Sequence, residues 1–132
     1  VTFQGIDHIA LAARNPRALA QWYCDILGFT VVWHNDSEPW AGLIGGPDGS
    51  LVEVMPDNGT APTPHAPFDP GFRHLALRVS DFDAAREHLA SHGIAFTGEP
   101  SVAAGGGRVL SFTDPEGNAV QIVSRPASFR EP

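Results

Sequence analysis

The chain has a single cysteine, Cys24, so no disulfide can form within it and packing alone must hold the fold. A lone thiol fits a reducing compartment, and a cytoplasmic location is expected. Cations are scarce. Eight Lys and Arg stand against 15 Asp and Glu, giving a net charge of −7 and a pI near 5.1. With no basic stripe to neutralise phosphates, nucleic acid is not expected as a partner. No apolar run approaches the ~20 residues that cross a bilayer, so no membrane partner is expected either. The opening Val1-Thr2-Phe3-Gln4 shows neither a basic nor an apolar leader pattern, and no signal peptide is expected. The glycine triplet Gly105-Gly106-Gly107 lacks the strand–turn–helix setting of a phosphate loop.

What is present is 132 residues, 42% of them hydrophobic, enough for one domain with a core. A short strand occurs twice in it, as Ile6-Asp7-His8-Ile9-Ala10-Leu11 and as Phe72-Arg73-His74-Leu75-Ala76-Leu77. Alternate side chains of a strand share a face. His8, Ala10 and Ala12 therefore oppose Ile9 and Leu11, and His74, Ala76 and Arg78 oppose Leu75, Leu77 and Val79. Each imidazole stands away from the apolar stripe, with only an alanine beside it.

In order, a strand is predicted over residues 5–13. A helix then opens at Asn15-Pro16, with asparagine as N-cap and proline at the first position. Leu19, Trp22, Tyr23 and Ile26 form its apolar face, and Gly28 stops it. Strands are predicted over Phe29–His34, Trp40–Gly45 and Leu51–Met55, with a turn at Gly46-Pro47-Asp48-Gly49. Residues 56–71 carry five prolines and read as a linker. The pattern then repeats. A strand covers Phe72–Val79, and Asp81 caps a helix with Phe82, Ala85 and Leu89 inward, ended by Gly93. Strands follow from Ile94, over Arg108–Thr113 and over Ala119–Val123, and an irregular tail begins at Pro126.

The spacing supports a duplication. His8 to His74 is 66 positions and Gly28 to Gly93 is 65; Pro47-x-Gly49-x-x-Val52-Glu53 matches Pro115-x-Gly117-x-x-Val120-Gln121 at 68. Two units of this kind are the mark of a repeated supersecondary element. The predicted fold is α+β: two pseudo-symmetric βαβββ modules, about 5–55 and about 72–124, forming one domain over 1–132. Their curved, cup-like mixed sheet would carry the helices outside.

The same parity rule places Glu53 opposite Val52 and Val54, and Gln121 opposite Val120 and Ile122. If those four apolar residues pack under the helices, His8, Glu53, His74 and Gln121 all point to the other, concave side. Two imidazoles, a carboxylate and an amide oxygen suit a divalent first-row metal. Trp33 and Trp40 flank a polar loop and are candidate walls of a substrate pocket. Arg78 shares parity with His74 and could meet an anionic substrate. His88 and His92, at i and i+4 on the second helix, have no third ligand nearby and read as a solvated face. His34 and His65 have no assigned role beyond substrate contact.

The motifs Asp7-His8-Ile9-Ala10-Leu11, Trp22-Tyr23-x-x-Ile26-Leu27-Gly28-Phe29, Leu51-Val52-Glu53-Val54, Arg73-His74-Leu75-Ala76-Leu77 and Asp114-Pro115-Glu116-Gly117-Asn118 resemble the vicinal oxygen chelate superfamily. That superfamily includes glyoxalase I, methylmalonyl-CoA epimerase, extradiol dioxygenases, fosfomycin-resistance transferases and bleomycin-binding proteins. The resemblance runs from about Gly5 to Val123. It implies metal ligands at His8, Glu53, His74 and Gln121, with Zn, Ni, Fe, Mn or Co as the ion. It also implies a homodimer that helps form each site. Many metal-dependent members carry glutamate where Gln121 stands. Gln121 can ligate through its carbonyl but cannot take a proton, which weighs against an extradiol dioxygenase. The expectation is a glyoxalase-like lyase or isomerase that chelates a small substrate through vicinal oxygens, with Glu53 as ligand and base. The alternatives are a metal-free, bleomycin-resistance-like small-molecule-binding protein or an extradiol-dioxygenase-like oxidoreductase.

Overall fold

The computed structural model describes residues 2–129. Two compact units meet in the chain at Pro62 and Thr63. The first holds β1 (His8–Ala13), α1 (Pro16–Leu27), β2 (Thr30–His34), β3 (Gly42–Gly45) and β4 (Leu51–Pro56). The second holds β5 (Leu75–Arg78), α2 (Phe82–Ser91), β6 (Thr97–Val102), β7 (Arg108–Thr113) and β8 (Ala119–Val123). Both are βαβββ modules of an α+β fold, with sheet orders β1-β4-β3-β2 and β5-β8-β7-β6. In each, the first strand pairs parallel with the last, and the other pairings are antiparallel.

In the first unit, α1 packs across the sheet. Ile44, Val52 and Val54 are buried, as are Leu19, Ala20 and Tyr23 of the helix. Tyr23 stacks edge-on against Phe29 at 5.7 Å, an arrangement that adds about 0.5–1.5 kcal/mol beyond the area buried. The buried stripe of α1 is Pro16, Leu19, Ala20 and Tyr23; Trp22 and Ile26 are half-buried at its margin. Asn15 does not cap with its side chain. Its backbone carbonyl accepts from Leu19 N–H at 2.9 Å, and Pro16 starts the helix because its own missing N–H costs nothing there. Gly28 ends α1 at φ 76°, a left-handed conformation open to a residue without Cβ.

In the second unit, α2 packs on β8, with Phe82 and Leu89 buried. Asp81 does cap it, accepting from Ala84 N–H at 3.0 Å. Val120 and Ile122 are buried, and β5 alternates so that Ala76 and Arg78 are exposed.

Several strands are shorter than the pattern predicts. β1 begins at His8 because its partner β4 begins at Leu51, after the turn. β5 begins at Leu75, which pairs with Val120, so His74 sits one residue before the first paired position. β3 begins at Gly42, beyond Trp40. The second strand of the second module begins at Thr97, not Ile94. The expected irregular tail is partly ordered. Phe129 N–H donates to Pro126 O at 3.0 Å, and the Phe129 ring lies 4.3 Å from the Arg125 guanidinium. Arg125 in turn donates to the carbonyls of Ala104 and Gly106. Among the described residues, no helix is long and apolar enough to cross a membrane.

The Asp114-Pro115-Glu116-Gly117-Asn118 segment ties β7 to β8. The carboxylate of Asp114, 4% exposed, accepts from Glu116 N–H at 2.9 Å, Asn118 N–H at 3.0 Å and Asn118 Nδ2 at 2.8 Å. Removing it strands three donors. Asp114→Ala is expected to cost about 1–3 kcal/mol, read as a lower denaturation midpoint at unchanged m-value; an unaltered midpoint would show that the turn does not depend on this carboxylate.

Candidate functional site

The strand registers set which side chains share a face. In the first unit, Ala10, Glu53, Leu43 and Trp33 stand in one row across β1, β4, β3 and β2. His8 pairs with Leu51 in the neighbouring row. This face lies opposite Ile44, Val52 and Val54, hence opposite the helix. Glu53, Leu43 and Leu51 are half-buried on it, while Trp33 is 53% exposed. A bulge between Val31 and Trp33 turns the indole to the Glu53 side. The sequence-predicted pair His8 and Glu53 is thus on one face, on adjacent strands.

His8 is already oriented. Its Nδ1–H donates to Asp7 Oδ2 at 2.7 Å, which selects the tautomer whose Nε2 carries the lone pair. A carboxylate behind an imidazole is the usual support for a metal-binding histidine. Asp7 escaped the sequence reading as a functional residue, although its position next to His8 was visible.

In the second unit, Ala76, Gln121, Ser111 and Thr97 form the row equivalent to Ala10, Glu53, Leu43 and Trp33. Gln121 is half-buried, and its Nε2 donates to Ser111 Oγ at 3.0 Å. His74 and Arg78 share the exposed side of β5 with Ala76. The Arg78 guanidinium lies 5.8 Å from the Phe129 ring, so the C-terminal segment reaches that side chain.

Pairwise, the donor chemistry fits a divalent ion: an imidazole with a free Nε2 beside a carboxylate in one unit, an amide oxygen beside the His74 strand in the other. Among the described residues, no three or more His, Cys, Asp or Glu are gathered as a metal-holding group.

The two tryptophans do not wall one pocket, contrary to expectation. Gly42 pairs with Val54, so a side chain there would point to the helix-bearing face. A Cβ at Gly42 would lie 2.5 Å from Trp40 Cη2, which places the indole on that face. Trp40 is 7% exposed and stacks on His34 at 6.2 Å. Both line an open groove of about 570 Å³ with Arg17, Gln21 and Glu38. The signal was present in the sequence only as the glycine two residues after Trp40. His88 and His92 lie edge-on at 4.7 Å on exposed α2. Cys24 is free, and burial, with the Asp25 charge next, pushes its thiol up.

The sequence pattern of the Glyoxalase/Bleomycin resistance protein/Dioxygenase superfamily matches residues 5–122. The uncharacterized protein YaeR of Escherichia coli K12 is 35% identical over 92 residues, 67% of this chain and 71% of YaeR. A crystal structure of a glyoxalase family protein from Enterococcus faecalis superposes with a TM-score of 0.77 at 24% identity, covering 93% of this chain and 99% of its own. The structure of oxidase ChaP-H2 superposes with a TM-score of 0.70 at 29% identity, covering 96% of each chain.

Two measurements check the placement of the indoles. Trp33→Phe is expected to remove most of the iodide-quenchable tryptophan fluorescence, whereas Trp40→Phe leaves it; the reverse would contradict the assigned faces. Gly42→Ala is expected to cost about 1–3 kcal/mol through overpacking, because Trp33 O, 2.8 Å from the new Cβ, is backbone and cannot swing aside.

Proposed function

This chain belongs to the Glyoxalase/Bleomycin resistance protein/Dioxygenase superfamily, and on that premise we propose that it is a metal-dependent, glyoxalase-like lyase or isomerase. His8, Glu53, His74 and Gln121 would hold a divalent ion, and a small substrate with vicinal oxygens would chelate to it. The observation that carries this reading is the His8–Asp7 hydrogen bond. It presents an imidazole nitrogen on the same open sheet face as Glu53, which a purely structural surface histidine has no need to do.

When bound, the ion supplies Lewis acidity to the chelated oxygens and so lowers the cost of an enolate or oxyanion. The chain's own residues do the rest. Asp7 keeps the His8 tautomer. Glu53 is a ligand and the one carboxylate of the set, hence the candidate proton acceptor. Trp33 offers an aromatic wall in the Glu53 row, and Arg78 a cation for an anionic substrate. With Glu53 charged and Gln121 neutral, a divalent ion keeps a formal excess of positive charge, which favours an anionic ligand. Trp40 has no part in this site.

Assembly belongs to the same proposal. Phe3, Ile6, Phe68 and Phe72 stand almost wholly exposed, and a homodimer would cover such apolar surface. A cytoplasmic location fits the free Cys24 thiol.

A second reading, a metal-free protein that sequesters a small molecule, is favoured by the apolar strip of Leu43, Met55 and Trp33 around Glu53. Metal analysis separates the two. Protein purified without chelator is expected to carry about one divalent ion per chain, removable by chelator and lost in His8→Ala. Glu53→Gln should loosen the ion and Gln121→Glu should tighten it, since charge and not size changes. Because protons compete for imidazole nitrogen, affinity should be weaker at about pH 5.5 than at about pH 7.5. A chain that takes up no metal, yet binds small aromatic molecules through Trp33, would decide for sequestration.

A further inference from the structure

We propose that the groove between α1 and the β2–β3 loop is a separate small-molecule site, which takes a flat aromatic cation carrying N–H donors, such as an aryl amidinium. The groove opens on the helix-bearing face of the first sheet, away from Glu53 and Trp33. Its volume of about 570 Å³ is that of a pocket for a small organic ligand.

Its walls are held in place. Asn35 closes the loop three times over. Its backbone N–H donates to Ala41 O at 3.0 Å, its Nδ2 donates to Pro39 O at 3.0 Å, and its Oδ1 accepts from Ala41 N–H at 3.0 Å. Arg17 of α1 donates to Glu38 of the loop and links the two walls. The Trp40 indole lies nearly parallel to the His34 ring, at 18° and 6.2 Å. Room for the indole comes from the missing Cβ of Gly42, although a glycine weakens a strand. The stack gives the groove a flat aromatic wall whose outer layer is the exposed imidazole.

The polar groups on these walls accept. His34 Nδ1 lies 2.7 Å from the Asn35 carbonyl oxygen. That oxygen can only accept, so Nδ1 carries the proton and Nε2 of the neutral ring presents a lone pair. Gln21 Nε2 is engaged with Asp25 at 2.8 Å, which leaves the amide oxygen. The Arg17 charge is set against Glu38. Asp36 makes no hydrogen bond or ion pair among the described residues, so its carboxylate sets the sign of the groove, in a chain of net charge −7. A flat ring system bordered by acceptors and a negative charge selects a flat cation that donates, and repels an anion.

The probe is benzamidine, with benzoate as its anionic counterpart. Each is titrated into the full chain and followed by 1H–15N spectra, with Trp33→Phe and Trp40→Phe assigning the indole N–H signals. Benzamidine is expected to move the Trp40 signal with a Kd of about 1 mM and to leave the Trp33 signal in place, while benzoate moves neither. Asp36→Asn is expected to weaken benzamidine about fivefold at an unchanged melting temperature. His34→Phe, which keeps a flat ring and removes the acceptor, should weaken it as well. Movement of the Trp33 signal without Trp40 would put the ligand on the Glu53 face and overturn the proposal. Binding of benzoate as tight as that of benzamidine, an affinity unchanged in both variants, or no Trp40 shift at about 10 mM benzamidine would overturn it equally.

Discussion

The parallel pairing of the first and last strands governs everything else in each module. A parallel neighbour cannot be reached by a tight turn; the chain must cross over the sheet to get there. Here the crossover contains the helix and the two middle strands, and the helix covers one face. The other face is left for polar groups. The β1–β4 register sets His8 and Glu53 on that face, and the β5–β8 register does the same for Gln121. His74, one residue before β5, continues the alternation of exposed and half-buried positions. Slipping either register by one residue would exchange Glu53 with Val52, or Gln121 with Val120, and put a carboxylate or amide under a helix. Burial of those valines is thus what pins the polar side chains outside.

The two modules share this plan and differ in detail. The rows Ala10–Glu53–Leu43–Trp33 and Ala76–Gln121–Ser111–Thr97 occupy the same places in their sheets. In the first, the ligand candidate is charged and its surroundings are apolar and aromatic. In the second, it is neutral and its neighbours carry hydroxyls. Charge, hydrogen bonding and aromatic surface have been divided between the copies.

Element type was legible because it rests on local rules. Alternation marked the strands around His8, Glu53, Leu77 and Gln121, and the i, i+3, i+4 stripe marked both helices. Asp81 and Gly28 announced helix ends through hydrogen bonding and backbone freedom. The rules failed where a local preference met a tertiary alternative. Asn15 is a favoured cap type, yet it meets α1 through its backbone carbonyl and not its side chain. Phe72 and Trp40 look strand-like, yet neither has a partner strand beside it. The tail after Pro126 holds turn-formers, but a phenylalanine between arginines gives it something to bind.

The sequence by itself determined the modular duplication, the parity of His8, Glu53, His74 and Gln121, and the family resemblance that the match over residues 5–122 bears out. These depend on period and spacing, which a chain carries wherever it folds. Only the tertiary structure decided that Asp7 holds His8, that Ser111 holds Gln121, and that Trp33 and Trp40 lie on opposite faces. Those facts depend on strand register, on one bulge in β2 and on the space a missing Cβ leaves at Gly42. None is a property of nearest neighbours in sequence except the Asp7–His8 pair, and even there adjacency alone does not say that the two side chains turn toward each other.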